Sequence, residues 1–566
     1  MIGVRQRGTA VRGLAPAVPR ARRGPLRRVV RGLAAVACCV PRPASHAATA
    51  RADSPYAIAA VAVEQPALPA LIGAAQSAVA RLRIDVAGPA AGDCPLAVSE
   101  LHLHTTGVER LDDVVAVAAF YAGADPATAG ADTAGLFGAA PRFGEAAPAA
   151  ERLVLRGRQP LRPGPNYFWI SYALRPDASL DRRVDAGCDL VVFADGARRQ
   201  PSTANPAGTQ RLGVAVRRGG DDGVHTYRIP GLAVSCQGTL LAVYDVRRRS
   251  QRDLPGDIDV GLSRSRDGGQ TWEPMRILVD AGCDPAWQFD GAGDPAILVD
   301  RRSGAIWVAA LWSHGDRGWT GSGPGLAPDE TGQLLLVRSD DDGLSWTAPR
   351  NVTAEVKQPD WGLLLQGPGK GITMQDGTLV FAAQYQEGAA QGRLPRSTLL
   401  ASRDGGATWE IGAGAFDDTT EAQVVELQPG ELMLNCRYNR AATRVVCTTR
   451  DRGRTWHEHP TSRKDLVEPG ACMASLIHVD RELGRTAGTR LLLSNPDDPA
   501  ERRRMTIKLS PDHGATWPTS SRVLLDEFVS AGYSCLAMLD ERHVGILYES
   551  SQAQLVFQRV RLDEFR

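Results

Sequence analysis

The chain has 566 residues, 43% of them hydrophobic, and a formal net charge of +1. That length allows more than one domain, and that apolar share supplies full cores, which excludes a chain disordered throughout. The even charge balance gives no electrostatic reason for a nucleic-acid partner.

Residues 1–50 read as a leader. A basic stretch from Arg5 to Arg31 precedes the short apolar run G-L-A-A-V-A-C-C-V, and small residues follow, with cleavage candidates after Ala47 or Ala50. Basic, apolar and small-residue regions in that order describe a secretory signal, so the expectation is an exported protein: periplasmic, secreted or cell-surface. Cys38 also allows a lipoprotein reading, although the leucine expected three residues earlier is missing. The apolar run is too short for a bilayer-spanning helix, and no other segment is a candidate for an integral span.

From 51 to 195 the chain alternates apolar and polar residues, as in V-S-E-L-H-L-H-T and N-Y-F-W-I-S-Y-A-L, between Gly/Pro/Asp clusters. Such short alternating runs predict an antiparallel β-sandwich. The aromatics of N-Y-F-W-I-S-Y offer a sugar-stacking role, against which alternating strand aromatics more commonly form core. His102 and His104 face one side of a strand with no third ligand in reach, so surface histidines are expected and no metal site. Eight cysteines remain after the leader; Cys94 and Cys188 are the candidate disulfide, and small buried hydrophobes are the expectation for most of the rest. A polar, Pro-containing linker spans 196–208.

From 209 to 566 the chain repeats itself. S-R-D-G-G-Q-T-W (265–272), S-D-D-D-G-L-S-W (339–346), S-R-D-G-G-A-T-W (402–409), T-R-D-R-G-R-T-W (449–456) and S-P-D-H-G-A-T-W (510–517) share one turn pattern. Asp bonds backbone N–H groups, Gly supplies positive φ, and Trp packs the turn on its sheet. A second series, including G-T-L-L-A-V-Y-D, G-T-L-V-F-A-A-Q-Y and H-V-G-I-L-Y-E-S, recurs six times. One four-stranded blade per recurrence predicts an all-β protein: a six-bladed β-propeller preceded by the sandwich. The strand near 211–217, or the C-terminal V-F-Q-R-V-R-L, would close the ring.

Residues peculiar to one blade then mark function. Arg228 sits in H-T-Y-R-I-P-G-L, where an isolated guanidinium at an apolar strand start needs an anion. Arg247 and Asp253 follow the first series strand, Asp294 precedes the second, Glu421 leads into the fourth and Arg437 ends it. Arg502 follows the fifth, Tyr533 precedes the sixth and Glu549 ends it. Equivalent strand ends of a propeller converge on one face, so these side chains surround a single cavity.

The Y-R-I-P segment, the five Asp-box turns and this ordered series resemble the bacterial exo-α-sialidases, the Asp-box neuraminidases, over essentially all of 211–566. The stretch 51–195 also resembles the sandwich preceding the propeller in some of them. The resemblance implies an arginine triad of Arg228, Arg437 and Arg502 around a sugar carboxylate. In E-R-R-R-M the third member is open among Arg502, Arg503 and Arg504, and register with T-I-K favours Arg502. It further implies that Glu549 holds Arg228, that Asp253 is the general acid, Tyr533 the nucleophile and Glu421 its base. Arg247 and Asp294 are implied pocket contacts. Metal and organic cofactors are not called for, and the partners implied are sialylated glycans: glycoproteins, gangliosides and oligosaccharides.

These residue types suit the reaction. Sialic acid carries a carboxylate on its anomeric carbon, so a carboxylate nucleophile approaches against like charge, whereas a phenol deprotonated at the moment of attack does not. The rival classes are a sialidase-fold trans-sialidase and a non-enzymatic Asp-box propeller that binds glycans. The second rival needs no Tyr/Glu/Asp set, which this chain carries.

Overall fold

A computed structural model describes residues 54–565, apart from 91–92, 125–136, 138–139 and 283–288. The leader with Cys38 and its cleavage candidates, and also Cys283, lie outside the described residues. Two antiparallel sheets form the first part of the fold. One orders Ala57–Glu64, Ser77–Ala87, Gly164–Leu174, Val114–Gly123 and Arg142–Ala146; the other orders Arg198–Arg199, Gly187–Phe193, Ala97–His104 and Arg152–Pro160. Leu82, Ile84, Phe168, Ile170 and Tyr172 of the first sheet share a core with Leu101, Leu103, Val191 and Phe193 of the second. The period-2 pattern of each strand therefore places its apolar face inward, making a sandwich.

The aromatics of N-Y-F-W-I-S-Y are core on both faces of their strand. Phe168 and Tyr172 point between the sheets, and Trp169 is buried against Phe528 of the propeller at 6.2 Å between ring centroids. They leave no platform for a sugar. Two expectations for this region fail. His104 is buried, because its ring packs over Gly187 of the neighbouring strand, while His102 is half-buried and bonds Glu100 at 3.0 Å. Cys94 and Cys188 are both free thiols. Burial pushes the Cys188 thiol up to about 12, so it stays protonated as a small apolar group. Among the described cysteines, Cys236 is exposed and five, including Cys188, are buried.

Six sheets follow in a ring, and the repeated strand is second from the axis in every one. Thr226–Val234, Leu240–Arg247, Ile258–Ser265 and Arg276–Val279 make the first blade. In the sixth, Ser534–Met538, His543–Tyr548 and Leu555–Arg561 are completed by Gln210–Arg217, which pairs antiparallel with Leu555–Arg561. Both candidate closing strands are thus used, side by side, and the first and last strands of the propeller lock the ring.

The five Asp boxes join the third strand of a blade to the fourth and share one set of bonds. In the third box Ser402 Oγ donates to Asp404 Oδ1 at 2.8 Å, Gly406 N donates to Ser402 Oγ at 2.8 Å, and Thr408 Oγ1 donates to Asp404 Oδ2 at 2.6 Å. Gly406 has φ +90°, and a Cβ there would lie 2.2 Å from the Trp307 ring of the neighbouring blade. Glycine is required twice over, by backbone sign and by closeness. No helix among the described residues is long and apolar enough to cross a membrane.

Candidate functional site

The site occupies the mouth where the innermost strands begin and the second strands end. Three innermost strands carry a register shift at the same level: between Arg228 and Gly231, between Gly293 and Ala296, and between Thr419 and Ala422. A bulge turns a side chain off the ladder. Here it presents Arg228, Asp294 and Glu421 to the axis. Pro230 and Pro295, which lack the N–H a ladder would use, sit in two of these bulges. The backbone is forced there: Ile229 has φ +59° and Asp294 φ +55°, values costly for a β-branched residue and uncommon for an aspartate.

Glu549 holds this geometry. Its buried carboxylate accepts from Arg228 Nε at 2.8 Å, Arg228 Nη2 at 3.1 Å, Ile229 N at 2.9 Å and Tyr533 N at 2.9 Å. One carboxylate thereby fixes an arginine, its strained neighbour and the backbone of the tyrosine opposite. Burial acts against the charge of Glu549, but Arg228 and the two backbone amides outweigh it and hold the carboxyl below its usual range. Burial likewise opposes the charge of Arg228, and Glu549, Tyr533 and Asp253 raise it above the ordinary guanidinium value.

Tyr533 lies at the centre, 5% exposed. Its hydroxyl donates to Glu421, 2.7 Å from Oε1 and 2.6 Å from Oε2, and accepts from Arg437 Nη1 at 2.9 Å. The same Arg437 nitrogen donates to Glu421 Oε2 at 2.7 Å. Burial, then the adjacent Glu421 charge, push the phenol well above its ordinary value, so it rests neutral with its proton directed at Glu421. Two guanidiniums flank the ring, Arg228 at 5.2 Å and Arg502 at 5.4 Å from its centroid. Arg502 uses one proton of each terminal nitrogen on backbone, donating to Ala531 O at 2.8 Å and Ala471 O at 2.7 Å. Of the three arginines of E-R-R-R-M, Arg502 alone lines the cavity; Arg503 pairs with Asp498 at 3.2 Å instead.

Across the pocket, Asp253 projects from the loop after the first blade's second strand, with its side chain 77% exposed and 2.7 Å from Arg247 Nη2. Arg247 is itself buried, clamped by Asp245 at 2.9 Å. Asp294 lines the cavity between Asp253 and Glu421, and its carboxyl is pushed well above the usual range by burial, then by Asp245 and Glu421. That crowding of carboxylates favours its protonated form. The cavity measures about 370 Å³, with the arginines on one side and Leu254, Leu311, Trp319, Leu363 and Leu365 on the other. All nine residues singled out from the sequence are therefore brought together: seven line the cavity, and Arg247 and Glu549 buttress it from behind. Among the described residues no three His, Cys, Asp or Glu side chains gather as a metal site.

Comparison with known proteins bears on this arrangement. A BNR repeat-like domain matches residues 238–546, and the N-terminal domain of BNR-repeat neuraminidase matches 59–197. The chain belongs to the BNR-repeat sialidases. It is 48% identical to a Bacteroides fragilis sialidase over 423 residues, which is 73% of this chain and 76% of that one. A sialidase of Micromonospora viridifaciens is 34% identical over 69% of this chain and 59% of its own. Among solved structures the Hadza microbial sialidase Hz136 superposes with a TM-score of 0.80 at 42% identity, over 89% of this chain and all of that one. With this membership the chain is an exo-α-sialidase, a glycoside hydrolase.

The sialidase site also contains residues that sequence reasoning missed. Asp245 is buried and does two jobs, pairing with Arg247 and accepting from Asp294 N at 2.8 Å. Its signal was present, since Asp245 and Arg247 are two apart on one strand and face one side. Gln366 donates to the Asp294 carbonyl and pins the second bulge from a different blade. Trp319 reaches the rim on the long connection after Ile306–Ser313 and is held through its carbonyl by Gln386 at 3.1 Å and Arg393 at 3.0 Å. No local pattern marks either of these two.

Proposed function

We propose that the chain releases terminal sialic acid from glycoconjugates with retention, through a tyrosyl–enzyme intermediate. The observation that carries this reading is the buried phenol of Tyr533, bonded to both oxygens of Glu421 and flanked by Arg228, Arg437 and Arg502. The three guanidiniums hold the sugar carboxylate, whose planar shape suits their forked donors. Tyr533 Oη attacks the anomeric carbon while its proton passes to Glu421. The bond to the leaving oxygen breaks as Asp253 gives that oxygen a proton. Asp253, now a carboxylate, takes a proton from water, and the hydroxide oxygen displaces Tyr533, which recovers its proton from Glu421.

Two inversions give net retention. Asp253, open to solvent at the mouth, suits a group that exchanges its proton with water each turnover. Asp294 hydrogen-bonds a ring hydroxyl or the amide side of the sugar. Natural substrates are sialylated glycoproteins, gangliosides and oligosaccharides, met outside the cytoplasm, which the leader at 1–50 supports. The two family matches support dividing the chain into a sandwich at 51–195, a connector at 196–208 and a propeller at 209–566.

The test is incubation with a fluorogenic α-sialoside, followed by proton NMR of the first sugar formed. The α-anomer is expected first. Absence of free sialic acid sinks the hydrolase reading, β-anomer first sinks the tyrosyl intermediate, and product formed only with an acceptor sugar replaces hydrolysis by transfer. A fluorinated sialic acid is expected to label Tyr533; a label elsewhere refutes that role.

A further inference from the structure

Behind the arginine side of the pocket lies an ion pair that does not line the cavity. Arg444 and Glu468 both have side chains 0% exposed and are bonded to each other. Arg444 divides its remaining donors between two elements. Its Nε bonds the Asn435 side chain and its Nη2 the Asn435 carbonyl at 3.1 Å, while Nη1 also reaches the Cys472 carbonyl at 3.1 Å.

One of these elements carries a pocket arginine and the other holds one. Asn435 lies two residues before Arg437 on Glu431–Tyr438, on the same face. The 468–472 loop runs from the paired Glu468 to Cys472, and Ala471 between them has φ +67°. Its carbonyl, aimed by that unusual backbone, accepts from Arg502 Nη2 at 2.7 Å. Cys472 adds a second tie, its Sγ donating to Gly532 O at 3.5 Å, one residue before Tyr533.

We infer that Arg444 and Glu468 are positioning residues that set the separation and aim of Arg437 and Arg502. The inference rests on the reading of these arginines as the carboxylate clamp. Stability alone is a weak reason for a wholly buried pair, because apolar residues of similar volume commonly replace one without loss. A pair whose three outward bonds go to the strand carrying one clamp arginine and to the loop beneath the other has a geometric reason instead. Two guanidiniums converging on one carboxylate repel each other, so their spacing has to be imposed from outside the pair.

The experiment uses the Arg444→Met/Glu468→Leu double variant, which removes both charges at similar volume, and Glu468→Gln as a milder second variant. Kinetics with a fluorogenic sialoside are combined with calorimetric binding of an unsaturated sialic acid analogue and of its neutral methyl ester. The expected result is a rise of about tenfold or more in KM and in the Kd of the acid, since displacement by about 1 Å can cost a factor of 100. Melting temperature and titrated active-site concentration stay near wild type in at least one variant, and the ester's Kd moves by less than about twofold. Wild-type KM and acid binding in a folded variant overturn the inference. So does an equal loss for acid and ester, or a loss confined to active-site concentration. Wild-type enzyme with no activity and no acid binding would instead sink the clamp reading on which the inference depends.

Discussion

Replacing Glu421 by glutamine separates the chemistry of the phenol from its position. Glu421 Oε1 and Oε2 both lie within 2.7 Å of the Tyr533 hydroxyl, and Arg437 bridges the two groups. The amide keeps the volume and one acceptor but cannot take the proton. The variant must then rely on phenol already ionised. A free phenol with pKa of about 10 is roughly 0.1% ionised at pH 7. Burial pushes the Tyr533 phenol up while Arg437 and Arg502 draw it down, so the free phenol sets the order of magnitude. The expected loss at neutral pH is therefore about 10³-fold in kcat/KM, about 4 kcal/mol in the barrier, inside the range known for general bases.

The assay is kcat/KM against pH with an aryl sialoside whose leaving group needs no protonation, so that Asp253 drops out. Wild type is expected to be flat through the alkaline range. Glu421→Gln is expected to climb about tenfold per pH unit through the alkaline range, following the phenolate population. A variant retaining a tenth of wild-type activity at pH 7, or a flat alkaline limb, would show that Glu421 is not the base.

Asp253→Ala is expected to lose about 10²–10⁴-fold on natural sialyl-galactosides and far less on activated aryl sialosides, which need little acid assistance; equal losses on both would remove the acid role. Glu549→Gln leaves Arg228 Nη2 and the Tyr533 amide facing an NH₂ group, a broken buried pair worth about 3–5 kcal/mol. Lower thermal stability is expected together with a KM raised more than tenfold, and a stable variant with unchanged KM would contradict the buttress. In the third Asp box, hydrogen bonds from Thr408 hold the Asp404 carboxyl down to about 2. Its folded-state value lies below its unfolded one, so its stabilisation is complete above about pH 4 and is lost as pH falls through about 2. Asp404→Asn is expected to unfold more readily than wild type at neutral pH, with the gap closing during acid titration of tryptophan fluorescence; a gap undiminished at pH 2 would falsify the account.

The blades were legible in the sequence because their determinants are local. An Asp box closes its hydrogen bonds within eight residues, and a strand's facing is written in alternation, so five turns and six strand recurrences define a propeller without any distant contact. The site's residue types were legible for a related reason: Arg228, Asp294 and Glu421 break the apolar run at one level of three blades, and prolines mark two of those breaks. The errors fell where burial depends on the neighbouring strand. His104 is covered by the backbone at Gly187, and Cys188 is buried in the sandwich core as a free thiol whose Sγ reaches Leu190 O at 3.5 Å.

Only the tertiary structure decided how the charges are held. Glu549 meets Arg228 across 321 residues, Tyr533 meets Glu421 across 112, and Gln366 reaches Asp294 from another blade. These contacts exist once Gln210–Arg217 pairs with Leu555–Arg561 and the ring closes. Composition and period supply the parts of the clamp; ring closure alone brings like charges within a few ångströms and provides the buried carboxylates that make such crowding stable.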